Sequence, residues 1–212
     1  MALMLRDGLY HRQIGDAVIF LDLPVDRYFL LTDGHAEDFL RALSGEASAS
    51  DWLIERGIFA DRKTEEGTEP DALVAPKISL VDGPLDEASV ATTAASLWLQ
   101  WRTRKELRRR PLSSIIGELK SAGRRETAQP NDAVIAGVAA AFLCAKRYAP
   151  AIDQCLVRSI AMKRMLMHRG SAVSLVFGVT MPFAAHCWVQ AGSTVLSDPL
   201  DIVLHYKPIL AV

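Results

Sequence analysis

Three residues in the last third of the chain have the types and the order that cysteine-based acyl chemistry requires: Cys155, His186 and Asp198. The thiolate is the reactive form of cysteine, so a nucleophilic cysteine belongs where negative charge is favoured. Cys155 falls in the first turn of a helix predicted over Gln154–Arg169, with Asp153 as N-cap and Gly170 at the C′ position. Unpaired N–H groups and the positive dipole end favour the thiolate there, and the Cys155 backbone N–H is suited to holding an oxyanion. His186 and Asp198 fall on two predicted strands, Ala185–Gln190 and Thr194–Asp198, joined around Gly192. A turn centred on Gly192 sets residue 186 opposite residue 198, with both side chains on one face. The carboxylate then orients the imidazole while the other ring nitrogen serves the thiol. A one-residue shift of the turn would separate the pair. Each residue alone has an ordinary structural use, the cysteine as core filler and the histidine as a hydrogen-bonded strand residue. Their conjunction points to nucleophilic catalysis.

Other chemistries find little support. The three cysteines, Cys144, Cys155 and Cys187, are an odd number with no CxxC pair, which argues against a disulfide framework and a zinc site. His11, His35, His168 and His205 show no ligand spacing, so no metal and no cofactor are expected. No glycine-rich phosphate loop is present, so the chain is not expected to hydrolyse ATP. Half of the 212 residues are hydrophobic and 23% are charged, a balance ordinary for a globular protein. No apolar run reaches the ~18 residues of a membrane span. Ala133–Ala145 is too short and reads as a buried helix, and the N-terminal MALMLRDGLYHRQIGD lacks a secretory apolar core. These features predict a cytoplasmic protein with no membrane partner.

The charge is unevenly distributed along the chain. Residues 1–87 carry 8 Lys+Arg and 18 Asp+Glu, a balance of −10, and residues 88–212 carry 16 and 7, a balance of +9. Such a split suggests two units. The first is predicted over residues 1–80. Leu9–Gln13, Ala17–Asp22 and Arg27–Leu31, separated by Gly15-Asp16 and Pro24-Val25-Asp26, read as a three-stranded meander. A helix capped by Thr32 or Asp33 follows to Leu43, burying Ala36, Phe39, Leu40 and Leu43. A second short helix is expected after the capping box of Ser48 and Asp51. Strands followed by helices in so short a span give a winged-helix-like module, and its charge excludes nucleic acid as a partner. Glu65–Pro70 reads as the start of a linker. The second unit, residues 85–212, opens with a basic helix from about Asp86 to Arg110, whose Trp98 and Trp101 are expected in core or interdomain packing. An alanine-rich helix capped by Asn131, the cysteine helix and a strand over Ser171–Thr180 follow. The overall class is α+β.

The stretch Asp153-Gln-Cys-Leu-Val-Arg-Ser-Ile-Ala-Met-Lys-Arg-Met-Leu-Met-His-Arg-Gly170, with Leu175-Val-Phe-Gly-Val179, Ala185-His-Cys-Trp-Val189 and Val195-Leu-Ser-Asp198, resembles the leader peptidases of lasso-peptide biosynthesis, the B proteins. The likeness covers about residues 85–212. It implies a transglutaminase-like, papain-like cysteine peptidase domain with Cys155, His186 and Asp198 as its catalytic triad. Cys187 and Gln190 stand where that family more often has alanine and glutamate, and neither is expected to touch the trio. The first unit is similar to the leader-recognition domains of such systems. That similarity implies that a precursor-peptide leader adds as a strand along Arg27, Tyr28, Phe29, Leu30 and Leu31. It further implies a partner, an ATP-dependent, asparagine-synthetase-like cyclase that receives the released core peptide. Two other functions fit the same residues: a non-catalytic peptide-binding scaffold, and acyl transfer to an amine.

Overall fold

The computed structural model describes residues 4–60, 73–85, 87–123, 131–148 and 154–212. The chain divides into two compact units, Met1–Thr68 and Glu69–Val212. The expected linker Glu65–Pro70 and the expected N-cap Asp153 lie outside the described residues.

In the first unit, β1 (Met4–Leu5) pairs antiparallel with β5 (Phe59–Ala60), while β2 (Leu9–Ile14), β3 (Ala17–Asp22) and β4 (Arg27–Leu31) form the meander. Ile14 faces Ala17 across a two-residue turn in which Gly15 has φ 59°, a backbone conformation that glycine adopts without strain. Helix α1 (Asp33–Leu43) buries Ala36, Phe39 and Ala42, so Leu43, expected on the inner face, is exposed instead. Helix α2 (Asp51–Glu55) begins after Ser50, and neither Thr32 nor Ser50 makes a side-chain capping bond. The expected capping box does not form. Packing holds these helices: Phe20 stacks on Phe29 at 4.8 Å and meets Phe39 edge-on at 4.9 Å, inside a core with Val18, Leu31 and Leu53.

The second unit contains β6 (Ile78–Ser79), a 3-10 turn at Leu80–Asp82, and helices α3 (Val90–Leu107), α4 (Leu112–Gly123), α5 (Asp132–Ala145) and α6 (Cys155–His168). Strands β7 (Ser174–Thr180), β8 (Ala184–Ala191) and β9 (Thr194–Val195) follow, then α7 (Leu200–Leu204) and β10 (Lys207–Ala211). The sheet order is β10-β7-β8-β9-β6, antiparallel throughout except for the parallel β9–β6 pair. Ile78–Ser79, expected within the first unit, is therefore the edge strand of the second unit's sheet. Helix α6 packs on β8, and α3 and α5 pack against α6. Asn131 caps α5 by accepting from the Val134 N–H at 3.2 Å, as its position predicts.

Helix α3 reverses the expected burial of its tryptophans. Its inner stripe is Thr93, Ser96, Gln100 and Thr103, while Trp98 and Trp101 are 55% and 54% exposed. Small polar side chains at helical spacing let the helices approach closely, so the rings point outward. Arg102 lies over Trp98 and Lys105 over Trp101. Among the described residues no helix is long and apolar enough to cross a membrane.

Candidate active site

Cys155 is the first residue of α6, with Gln154 in the N-cap position and without a side-chain cap. The helix leaves its first-turn N–H groups without intrahelical acceptors, so the Cys155 sulfur sits at the positive end of a 14-residue helix. Ser159, one turn further along the same face, donates to the Cys187 carbonyl at 3.1 Å. That bond seats the cysteine-bearing face of α6 on β8.

The hairpin that carries His186 does not have the expected register. Gln190 faces Val195 and Ala191 faces Thr194, because the turn has two residues, Gly192 and Ser193, and its centre lies between them. Continued down the ladder, this register sets residue 186 opposite 199 and puts Asp198 on the far face. The pair nevertheless meets. The ladder stops after the Leu196 N–H donates to the Val189 carbonyl at 2.9 Å, and the Val189 N–H then turns to the Ser197 hydroxyl at 3.0 Å. The chain from Ser197 to Pro199 leaves the sheet and carries the carboxylate back toward the imidazole. His186 Nε2 lies 3.4 Å from Asp198 Oδ1, an ion-pair contact looser than a closed hydrogen bond. Ser197 Oγ donates to Asp198 Oδ2 at 2.6 Å. With Nε2 turned to the carboxylate, Nδ1 is the nitrogen left for the thiol.

Electrostatics follow from this packing. The Cys187 thiol, hydrogen-bonded to the Cys155 sulfur, is the largest influence on Cys155; burial opposes it, and the His186 ring and the Cys187 backbone N–H add to it, holding the Cys155 thiol down to about 4. Burial pushes the His186 imidazole down, but Asp198 and Cys155 outweigh it and raise it to about 9. Burial also pushes the Asp198 carboxyl up, and His186 and Ser197 more than offset this, so that it titrates below its usual range. The adjoining thiolate and burial drive Cys187 far upward, so it stays protonated as a donor. Between about 4 and about 9 the site holds a thiolate beside an imidazolium.

The structure thus brings the three sequence-identified residues together, and it adds neighbours that the sequence did not signal. Cys187, 3% exposed, was expected to have no bearing on the trio and instead touches its sulfur. Gln190 bears on the site as well: its Oε1 accepts from Trp188 Nε1 at 2.8 Å, and its Nε2 donates to the carbonyls of Val74 and Gly192, each at 2.8 Å. The Trp188 and Tyr206 rings flank His186 at 6.4 and 5.3 Å between centroids. Gly178, across the ladder from His186, gives them room: a Cβ there would come within 2.6 Å of Trp188 Cζ3 and 2.9 Å of Tyr206 Cβ. Lys146 Nζ donates to the Ser197 carbonyl at 3.2 Å and places a cation near Asp198. Alternation along β8 was the available signal for Trp188 and Gln190, which share the face of His186.

Arg27, Tyr28, Phe29, Leu30 and Leu31 form β4, an edge of the three-stranded sheet, to which no second strand pairs among the described residues. Phe29 and Leu31 pack inward with the core, and Leu30 is 40% exposed. His35 stacks on Trp52 at 4.1 Å, His11 packs on Phe39, and His205 Nδ1 lies 2.6 Å from the Asp201 carbonyl. Among the described residues no group of three or more His, Cys, Asp or Glu side chains is arranged to hold a metal.

A family model described as transglutaminase-like superfamily matches residues 97–211, more than half of the chain. No curated protein and no solved structure matches it.

Proposed function

We propose that this chain, which belongs to the transglutaminase-like superfamily, is a cytoplasmic cysteine peptidase that removes the leader from a lasso-type precursor peptide. The observation that carries the reading is the thiolate at the start of α6 beside an imidazolium backed by a carboxylate. Cys155 Sγ attacks the carbonyl carbon at the leader–core junction, and the Cys155 backbone N–H stabilises the oxyanion. The imidazolium of His186 gives its proton to the leaving amine, which departs as the free amino terminus of the core peptide. The remaining acyl-enzyme thioester is attacked by water; His186 takes the water's proton, and the leader leaves with a new carboxylate. Asp198 orients the ring and stabilises its charge. A thiolate nucleophile suits a reducing compartment.

The first unit fits the recognition role in this reading, as a small winged-helix-like module. Its edge strand β4 (Arg27, Tyr28, Phe29, Leu30, Leu31) accepts the leader's backbone as an added strand. The core peptide then passes to an ATP-dependent, asparagine-synthetase-like cyclase. The test uses a synthetic lasso-type precursor peptide that carries its leader. Cys155→Ala abolishes cleavage, by at least about a thousandfold, and leaves leader affinity unchanged. Cleavage that persists in that variant refutes the mechanism, and unchanged product yield supports the scaffold reading.

A second reading, acyl transfer to an amine instead of water, is favoured by the superfamily match itself. It uses the same thioester, and mass spectrometry of the product formed with an added primary amine separates the two: an amide adduct marks transfer, a free carboxylate marks hydrolysis.

A further inference from the structure

The first described stretch of the second unit, residues 73–82, is stitched along the edge of the site. The Val74 carbonyl accepts from Gln190, whose other end holds Trp188 beside His186. The N–H groups of Lys77 and Ile78 donate to the Ser193 carbonyl, and Ile78 and Ser79 pair in parallel with Thr194 and Val195. Ser79 Oγ donates to the Asp198 carbonyl at 2.7 Å, and Asp82 Oδ2 accepts from the Leu200 N–H at 3.0 Å. These bonds clasp residues 194–200, the stretch in which the chain leaves the ladder and turns the carboxylate toward the imidazole. Nothing in the β8–β9 register would put Asp198 there. The Ser79 bond is made to the backbone of Asp198 itself.

We propose that Ser79 is a positioning residue: its hydroxyl holds Asp198 against His186, so cleavage depends on residues 73–82, a stretch of the second unit outside the span that matches the family. The proposal rests on the peptidase reading above. Removing the hydroxyl frees the Asp198 carbonyl and lets the 3.4 Å contact lengthen, which weakens the stabilisation of the imidazolium.

Asp198 after β9 and Cys155 on α6 set the charge on His186, and its other titratable neighbours are Cys187 beside it on β8 and Tyr206 after α7, whose ring packs on the imidazole. Lys146 at the end of α5 acts through Asp198, and Arg158 acts on Lys146. Of these groups only Asp198 is bonded to Ser79, so a shift at His186 in a residue-79 variant reports the position of Asp198.

The test is an NMR titration of the His186 imidazole in the full chain, paired with the pH dependence of Cys155 alkylation by iodoacetamide, read by peptide mapping. In the unaltered chain His186 titrates at about 9. In Ser79→Ala it moves down by about one pH unit, the worth of one partly buried hydrogen bond, while the thermal melt stays cooperative. Ser79→Thr restores the original titration. Ser79→Cys, a weaker donor of similar size, falls between and serves if the alanine variant does not fold. A His186 titration unmoved in the alanine or cysteine variant overturns the positioning role and leaves the peptidase reading standing. An unaltered chain whose His186 titrates as an ordinary imidazole, and whose Cys155 is unreactive below neutrality, overturns both.

Discussion

A sulfur and an imidazole that share one proton define the pH range of this protein at the scale of single residues. The Cys155 thiol is held down to about 4, first by the Cys187 donor and then by His186, and His186 is raised to about 9 by Asp198 and Cys155 against its own burial. The two titrate as a coupled pair. On the proposed peptidase reading, cleavage rises as the pH passes about 4 and falls as it passes about 9, a bell measurable as kcat/KM against pH. Stability follows with the signs fixed by linkage. The depressed thiol contributes stability that is lost as the pH drops through about 4, and the raised imidazole contributes stability that is lost as the pH climbs through about 9. Denaturant midpoints measured across that range check both signs, and a midpoint that rises above pH 9 contradicts them. Replacing Cys187 by Ala removes the largest influence on the thiol and moves the acid limb upward, with the alkaline limb little changed. The types and order of Cys155, His186 and Asp198 were legible in the sequence because chemistry constrains them. The hydrogen bonds of Cys187, Ser197 and Gln190 were not, because each depends on which residues meet across the fold.

At the scale of elements, the β8–β9 hairpin shows how periodicity can pick out two residues that meet, His186 and Asp198, through a wrong register. Alternation marked the strands, and Gly192 marked the turn, but a turn of two residues has its centre between Gly192 and Ser193. The meeting of His186 and Asp198 comes from the end of the ladder, where Ser197 and Ser79 capture the departing chain. That capture links residues 119 positions apart, which no local pattern records. In the same way α3 spans Val90–Leu107, shorter than the expected run from Asp86 to Arg110, and buries the polar stripe of Thr93, Ser96, Gln100 and Thr103 while its tryptophans turn outward. Gly178→Ala tests the sheet around the histidine. The added methyl has no room beneath Trp188, so the variant loses about 1–3 kcal/mol of stability, and displacement of the Trp188 ring slows cleavage further than the lost stability explains. Thermal melts and kcat measured together read both effects, and a variant unchanged in both would refute the packing role. In the first unit, Leu30→Asp puts a charge on the exposed face of the edge strand and lowers leader affinity about tenfold by calorimetry, with alkylation of Cys155 unchanged; equal affinity would remove β4 from the leader site.

At the scale of the whole molecule, the boundary between the units matters more than composition suggested. The charge split placed residues 65–87 with the acidic half, yet β6 belongs to the sheet of the second unit. The family span, residues 97–211, likewise omits it. A shortened chain of residues 69–212 keeps β6 and Ser79 and retains a reactive Cys155, and on the proposed recognition role of the first unit its KM for a leader-bearing peptide rises. A chain trimmed to begin at residue 87 keeps α3 but loses residues 73–82 and, with them, the bond that holds Asp198, and its His186 titrates lower. An equal His186 titration in the two would show that residues 73–82 are dispensable.

The most direct measurement is the rate at which iodoacetamide alkylates Cys155, followed by peptide mapping from acid to alkaline pH. Cys155 should react at close to its full rate from just above pH 4, and replacing His186 by Gln should move that onset upward. A rate that climbs only near about 8.5, as for an unperturbed thiol, and that is indifferent to residue 186, would contradict the account.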